Sequence, residues 1–397
     1  MTNRRTDASA AVVADIAARL ADPAEVRRRM AGSDRWIPLS LTDGHPATAL
    51  LHAELAHVDS THRRIAHAHL AEAATAGETG IHGLYIGPGA LAFAAARAAR
   101  KPSDYAGLLT PLDARLADWA RTTLRTEWER IDAGRPGTAF GAYDVVTGVT
   151  GVGRHLLDRG DTATVQEILR YLVALTEPVG GLPGWWVTET PTLPAHANAG
   201  LAHGIPGPLA LLALAWRSGV QVPGQDGAIT RIVGWLTDWS GADEHGRYWP
   251  DLLTEDDVRA RPDSLRPART AWCYGTPGVA TALHLAGTAL NPEWTDIAVT
   301  ATRAMLLRLL DTHGIHDVGL CHGWAGLLTL ILRLARDTDA RDLMAAADRV
   351  AQRVIDGYDP DRLDSVGFLE GAAGTALALH GWLTAPVSGW DAALLAA

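Results

Sequence analysis

An all-α fold, an α/α toroid of seven helical hairpins forming a single domain, is what this 397-residue sequence predicts. Three observations predict it. A short motif, a glycine followed three residues later by Gly or Ala and opening a strongly apolar helix, recurs seven times. Its copies stand 43 to 71 residues apart, and each interval is long enough for a helical hairpin. Between the motifs run helical patterns of a second kind, apolar on one face only.

The motif begins at Gly44 (with Ala47), Gly87 (with Ala90), Gly148 (with Gly151), Gly204 (with Gly207), Gly275 (with Gly278), Gly323 (with Gly326) and Gly371 (with Gly374). The helices it opens are apolar almost all round, as in Pro208–Trp216 and Leu327–Leu332, and must be buried on every side. The amphipathic patterns Leu112–Ile131, Val165–Thr176, Ile229–Trp239, Trp294–Leu310 and Arg341–Ile355 carry Arg, Asp and Glu on one face and belong at the surface. Inner and outer helices therefore alternate, and seven alternations close most simply into a ring. The small residues of the motif are expected to let helix ends crowd together at a rim. Residues 1–35 are expected to be a variable N-terminal segment, with the toroid domain over 36–397. Two connections, Glu177–His203 and Ser240–Cys273, are rich in Pro, Gly, Trp and Asp and too long for plain turns. They are expected either to wall a substrate cleft or to be solvated insertions.

A net charge of −10 and a pI near 5.9 argue against a nucleic-acid groove or an anionic-membrane surface. The longest apolar stretches fall well short of the roughly 20 residues that span a bilayer. Asp15 and Arg19 interrupt the early apolar run that a signal peptide needs, so a cytoplasmic location is expected. Two cysteines in a chain of this length make no disulfide framework, and in the cytoplasm they stay reduced and available to metal.

Both cysteines occupy the same position relative to the motif, in Trp272-Cys273-Tyr274-Gly275 and Leu320-Cys321-His322-Gly323. Cys273, Cys321 and His322 make three zinc ligands, and three leave one position open for water or substrate. Two thiolates and one imidazole leave zinc formally neutral, which favours binding and activating a substrate thiol over making hydroxide. The plainer reading is two small apolar cysteines packed near a rim. His203 and Asp144, in neighbouring turns, could transfer protons, the carboxylate orienting the imidazole. A rim histidine and a helix cap would account for them equally. Arg269, four residues before Cys273, could stabilise an oxyanion or be an ordinary surface arginine, and Tyr274 could donate to the same site or pack.

Together these turns, His203-Gly-Ile-Pro-Gly, Asp144-Val-Val-Thr-Gly and the two cysteine turns, resemble the lanthipeptide cyclases, the LanC family. The resemblance runs from Ser40-Leu-Thr-Asp-Gly44 to Gly371-Ala-Ala-Gly374. It implies an α/α toroid and a Michael addition, in which a peptide cysteine bound to zinc attacks dehydroalanine or dehydrobutyrine and the resulting enolate is protonated. It implies zinc on Cys273, Cys321 and His322, an acid/base pair in His203 and Asp144, and site roles for Arg269 and Tyr274. The partners it implies are a dehydrated precursor peptide, a lanthipeptide dehydratase and an ABC transporter. Ala47 and Ala90 depart from the second glycine, and no strand-rich insertion of the kind some members carry is evident.

Other readings use the same residues. A LanC-like glutathione transferase acting on dehydroamino acids would share the zinc and the nucleophile type. A docking scaffold would use zinc only to hold a rim. A protein prenyltransferase subunit would need a basic pocket that the sequence lacks, and an (α/α) glycosidase would use an acid pair such as Asp243 and Glu244 and leave the cysteines idle.

Overall fold

A computed structural model describes residues 2–77, 80, 82–188, 193–262, 265–312, 314–361 and 364–397, and these are mostly helical. In chain order they form α1 (Thr2–Arg19), α2 (Pro23–Met30), α3 (His45–Leu55), α4 (His62–Thr75), α5 (Pro88–Ala98), α6 (Ala106–Asp132), α7 (Phe140–Tyr143), α8 (Val149–Arg159) and α9 (Thr162–Leu175). Strands β1 (Trp186–Val187) and β2 (His196–Asn198) precede α10 (Pro206–Arg217) and α11 (Gln225–Asp238). Then come β3 (Gly241–Asp243), β4 (Gly246–Tyr248), β5 (Leu252–Thr254), α12 (Glu255–Ala260), α13 (Thr276–Ala289), α14 (Glu293–Thr312), α15 (Trp324–Thr338), α16 (Arg341–Gly357) and α17 (Ala372–Leu383).

Six of the seven motif glycines stand immediately before a helix, opening α3, α5, α8, α13, α15 and α17. The seventh, Gly204, is followed by Ile205 at the cap of α10. These are the buried helices: every residue of α3 and every residue of α10 from Pro206 to Ala215 is inside. Each leucine so buried contributes about 2 kcal/mol. Proline fills the first turn of α3, α5, α10 and α13, where its missing N–H costs nothing.

The small residues relieve the expected crowding between neighbouring turns, since a Cβ on Gly207 would lie 2.6 Å from Val145 Cγ2 and one on Gly278 2.8 Å from Leu201 Cβ, and they relieve a second crowding as well. A Cβ on Gly326 would lie 2.0 Å from the Leu320 carbonyl oxygen, and one on Gly374 would lie 1.8 Å from that of Phe368. Each turn folds back on itself, so crowding arises within the turn as well as against its neighbour. In the second repeat it falls on Gly89, 1.9 Å from the Gly83 carbonyl, and not on Ala90.

The chain divides into two compact units, Met1–Ala114 with Ile315–Ala392, and Arg115–Gly314 with Ala393–Ala397. In the first, α3 packs on α4, α5 and α17, α15 packs on α16 and α17, and α1 lies against α16 and α17. In the second, α10 packs on α8, α11 and α13, while α13 packs on α14 and α8 on α9.

Within each unit the motif turns are joined by backbone hydrogen bonds. In the first, the Leu41 N–H donates to the Tyr85 carbonyl (2.8 Å), that of Phe368 to Leu41 (3.0 Å), and that of Cys321 to Leu369 (2.8 Å). In the second, Val145 donates to Ala202 (3.0 Å) and Ala202 to Cys273 (3.4 Å).

The two long connections, apart from residues 189–192 and 263–264, which lie outside the described set, form five short strands where no strand-rich segment was evident. Strands of two or three residues offer too few positions for alternation to show. Antiparallel β1, β2 and β5 stitch the two connections together, with Val187 opposite His196 and Asn198 opposite Leu252. Asp243, at the end of β3, accepts two 2.7 Å hydrogen bonds from Arg308 and caps the turn at His245 and Gly246. Its carboxyl is held far below the usual carboxylate range, chiefly by the Arg308 hydrogen bond, and Glu244 is exposed. This pair is a structural clamp and a surface acid, which removes the glycosidase reading.

Candidate active site

In the second unit the sequence delivers Asp144 and His203 to each other. Asp144 follows α7, and its buried carboxylate serves two elements at once. Oδ1 accepts from the N–H groups of Thr147 (2.6 Å) and Gly148 (2.7 Å) and so caps α8. Oδ2 lies 2.6 Å from Nδ1 of His203. The cap and the imidazole partner, alternatives in the sequence, are both present. His203 Nδ1 therefore carries a proton toward the carboxylate, and Nε2 is the nitrogen left for exchange.

Burial alone would pull His203 down, but the hydrogen bond and charge of Asp144, with the sulfur of Cys273, raise it above its ordinary value of 6.5. Phe140 lies against the ring at 5.2 Å and Tyr274 at 6.5 Å between centroids. The Tyr143 hydroxyl donates to the His203 carbonyl at 2.8 Å, fixing the backbone beneath it.

Cys273 is buried in the turn before α13, held by the 3.2 Å bond from the Ala271 N–H to the Tyr274 carbonyl. Trp272 anchors that turn, its indole N–H donating to the Leu394 carbonyl at 2.9 Å. Gly275 has φ +83, the left-handed region where a Cβ is strained. Arg269 is exposed, and its side chain has no hydrogen bond or ion pair among the described residues.

In the first unit Cys321 and His322 occupy the turn before α15, both half-buried. Two carboxylates flank the imidazole: Asp317 Oδ2 is 3.4 Å from Nε2 and Glu370 Oε1 3.9 Å from Nδ1. Whichever nitrogen bound a metal, the other would face a carboxylate, the usual support for a ligating histidine. Neither cysteine is in a disulfide. Each unit thus presents donors of a kind that metals take, Cys273 in the second and Cys321 with His322 in the first.

Sequence reasoning missed Asp317, Glu370, Asn198 and His196. The first two lie in turns flanking the motif with no chemical oddity to mark them. Asn198 and His196 sit in β2, where the residue types are ordinary and only the fold shows what they touch. Among the described residues no helix is long and apolar enough to cross a membrane.

Comparison with known proteins identifies the fold and the family. A solved structure of nisin cyclase matches 94% of this chain and 97% of its own, with a TM-score of 0.78 at 23% identity. That match shows the fold, the α/α toroid expected from the repeats. The nisin biosynthesis protein NisC of Lactococcus lactis subsp. lactis is 28% identical over 257 residues, 60% of each chain, so the chain spans about three-fifths of that relative's length. The family model for lanthionine synthetase C-like proteins matches residues 35–395, which takes in all seven glycine turns, both cysteines and the Asp144–His203 pair. By that match the chain belongs to the lanthionine synthetase C-like family.

Proposed function

We propose that this protein closes (methyl)lanthionine rings in a dehydrated ribosomal precursor peptide, by adding a cysteine thiol of the peptide to dehydroalanine or dehydrobutyrine. The observation that carries this reading is the 2.6 Å contact between Asp144 and His203, which makes a proton-exchanging imidazole in the unit that also holds Cys273. In the reaction a C–S bond forms at the β-carbon, the alkene electron pair moves onto the adjacent carbonyl, and the α-carbon then takes a proton.

Cys273, Cys321 and His322 would hold zinc. The donor chemistry fits, since two thiols outside any disulfide and one imidazole backed by carboxylates are ligands of the kind zinc takes, with one position left open. Zinc, when bound, lowers the pKa of a substrate thiol and leaves its sulfur nucleophilic. His203 Nε2 accepts or returns the proton exchanged in the addition, and Asp144 holds Nδ1 protonated so that Nε2 stays available. Tyr274 and Arg269 stabilise negative charge on the carbonyl oxygen as the enolate forms. To this reading we add a toroid domain over 36–397, a cytoplasmic location, and the precursor peptide, a dehydratase and an ABC transporter as partners.

The test combines elemental mass spectrometry of the purified wild type and Cys321→Ala with ring closure of a dehydrated peptide, read as loss of alkylatable thiol. Zinc near one per chain that falls in the variant, with ring closure in the absence of added thiol, is the expected result. Coupling only when glutathione is added would replace this reading by the transferase. Retained zinc with no coupling of either kind would favour the scaffold.

A further inference from the structure

The geometry points to Asn198 and His196 as positioning residues that turn the Tyr274 hydroxyl into a hydrogen-bond donor for the reacting carbonyl. The inference rests on the proposed cyclase reading and deepens it.

Both residues lie on β2 and are fully buried. The chain of donors and acceptors that joins them to Tyr274 has one consistent direction. His196 Nδ1 is 2.7 Å from the Pro194 carbonyl, which can only accept, so the imidazole proton is on Nδ1 and Nε2 is an acceptor. The Asn198 amide is fixed too, because its Oδ1 accepts from the Gly200 N–H at 2.9 Å. Its Nδ2 therefore faces His196 Nε2 at 3.3 Å and the Tyr274 hydroxyl oxygen at 3.2 Å, donating one hydrogen to each. An amide nitrogen cannot accept, so the Tyr274 O–H hydrogen cannot point back at Asn198 and must point away from it. The ring position is set from the same segment, since a Cβ on Gly200 would lie 2.5 Å from Tyr274 Cδ1.

As the C–S bond forms and electrons move onto the carbonyl oxygen, the oriented O–H donates to that oxygen and keeps its proton. A donor aimed before the charge develops stabilises the transition state without reorganisation. Without Asn198 the hydroxyl rotates freely, and an acceptor in its place would claim the O–H for itself.

Asn198→Asp is the discriminating variant, because the carboxylate keeps the Gly200 bond and accepts from Tyr274. We expect it to lower kcat about 10- to 100-fold with KM within about threefold, matching Tyr274→Phe. The double variant N198D/Y274F should be no slower than either single one, since both remove the same donor. Zinc content should not change. The tyrosine Raman doublet, taken as the difference from Y274F, should shift in N198D toward a phenol that donates to a carboxylate. Should N198D fail to accumulate, Asn198→Ala carries the same non-additivity test. The inference is overturned if N198D keeps wild-type kcat while Y274F is impaired, or if the two losses multiply in the double variant. If Y274F itself turns over at the wild-type rate, the role of Tyr274 in the proposed function fails, and the positioning inference fails with it.

Discussion

Replacing Asp144 by Asn tests the acid/base pair with little change of shape. The Asn oxygen can keep the bonds to Thr147 and Gly148 that cap α8, so the cap itself should hold to within about 1 kcal/mol. The other arm changes completely. Where Oδ2 accepted from His203 Nδ1 at 2.6 Å, an NH₂ group can only donate. Loss of a charge-assisted hydrogen bond in a buried site removes about 1.5–3 kcal/mol. Either two donors then face each other, at a further 1–3 kcal/mol, or the imidazole proton moves to Nε2, leaving no free base where exchange occurs. Where that whole interaction, about 2.5–6 kcal/mol, supports the imidazole as it carries the exchanged proton, its loss lowers kcat about 10²- to 10⁴-fold, at 1.36 kcal/mol per decade. The assay is single-turnover ring closure by thiol alkylation, beside zinc content and a melting curve. Histidine NMR should show the raised His203 value of the wild type falling in the variant, because the carboxylate charge that supports it is gone. Asp144→Ala should lose the cap as well and melt lower by about 1–2 kcal/mol. Ring closure by D144N within fivefold of the wild type, with zinc bound, would refute the assignment of this pair.

Acid should destabilise the first unit well before its carboxylates titrate. His52 and His69 both donate from Nε2 to the Leu20 carbonyl and receive the Nδ1 hydrogens of His62 and His45, which requires His52 and His69 to be neutral. Burial lowers His45 to about 4, His52 to about 3 and His69 to about 4. Depressed imidazoles give stability that is complete above the unfolded value of 6.5 and is lost as pH falls toward the folded values. Between pH 7.5 and 5 the loss should reach about 4–6 kcal/mol, less what the raised His203 returns. A urea midpoint unchanged across that range would contradict it. Glycine substitutions should split by location. Gly326→Ala, with the Leu320 carbonyl at 2.0 Å, should destabilise by about 1–3 kcal/mol. Gly234→Ala, inside α11 with open space around it, should stabilise by up to about 1 kcal/mol. Melting temperatures that move in the same direction for both would show that turn crowding is not the determinant.

The helices were legible because their burial is written in periodicity. A helix apolar on all sides, such as α10, and one apolar on a single stripe, such as α16, differ in sequence as plainly as in structure. The reactive residues were legible for a different reason: cysteine is so rare here that its repeated placement before a motif glycine stands out. What did not show is contact. No spacing rule brings Asp144 to His203 across 59 residues, and the carboxylates beside His322 come from ordinary acidic turns. The role of the motif glycines was half legible, since crowding inside a turn, which was not foreseen, and crowding between turns, which was, demand the same small residue. Short strands failed for want of length, and Asn198 with them.

The bonds that tie motif turns together run from peptide to peptide and are blind to side chains. Phe368, Leu41, Val145, Ala202 and Cys321 all donate through such links, yet one of the five is a sulfur residue and the rest are hydrocarbon. Frame and reagent are thus separable in this architecture. Natural variation can rewrite the chemistry of a turn one residue at a time while the helices behind it stay in register. Ala202, bonded in the same way as Cys321, is a place where a new reactive group could be installed with the scaffold already built to receive it.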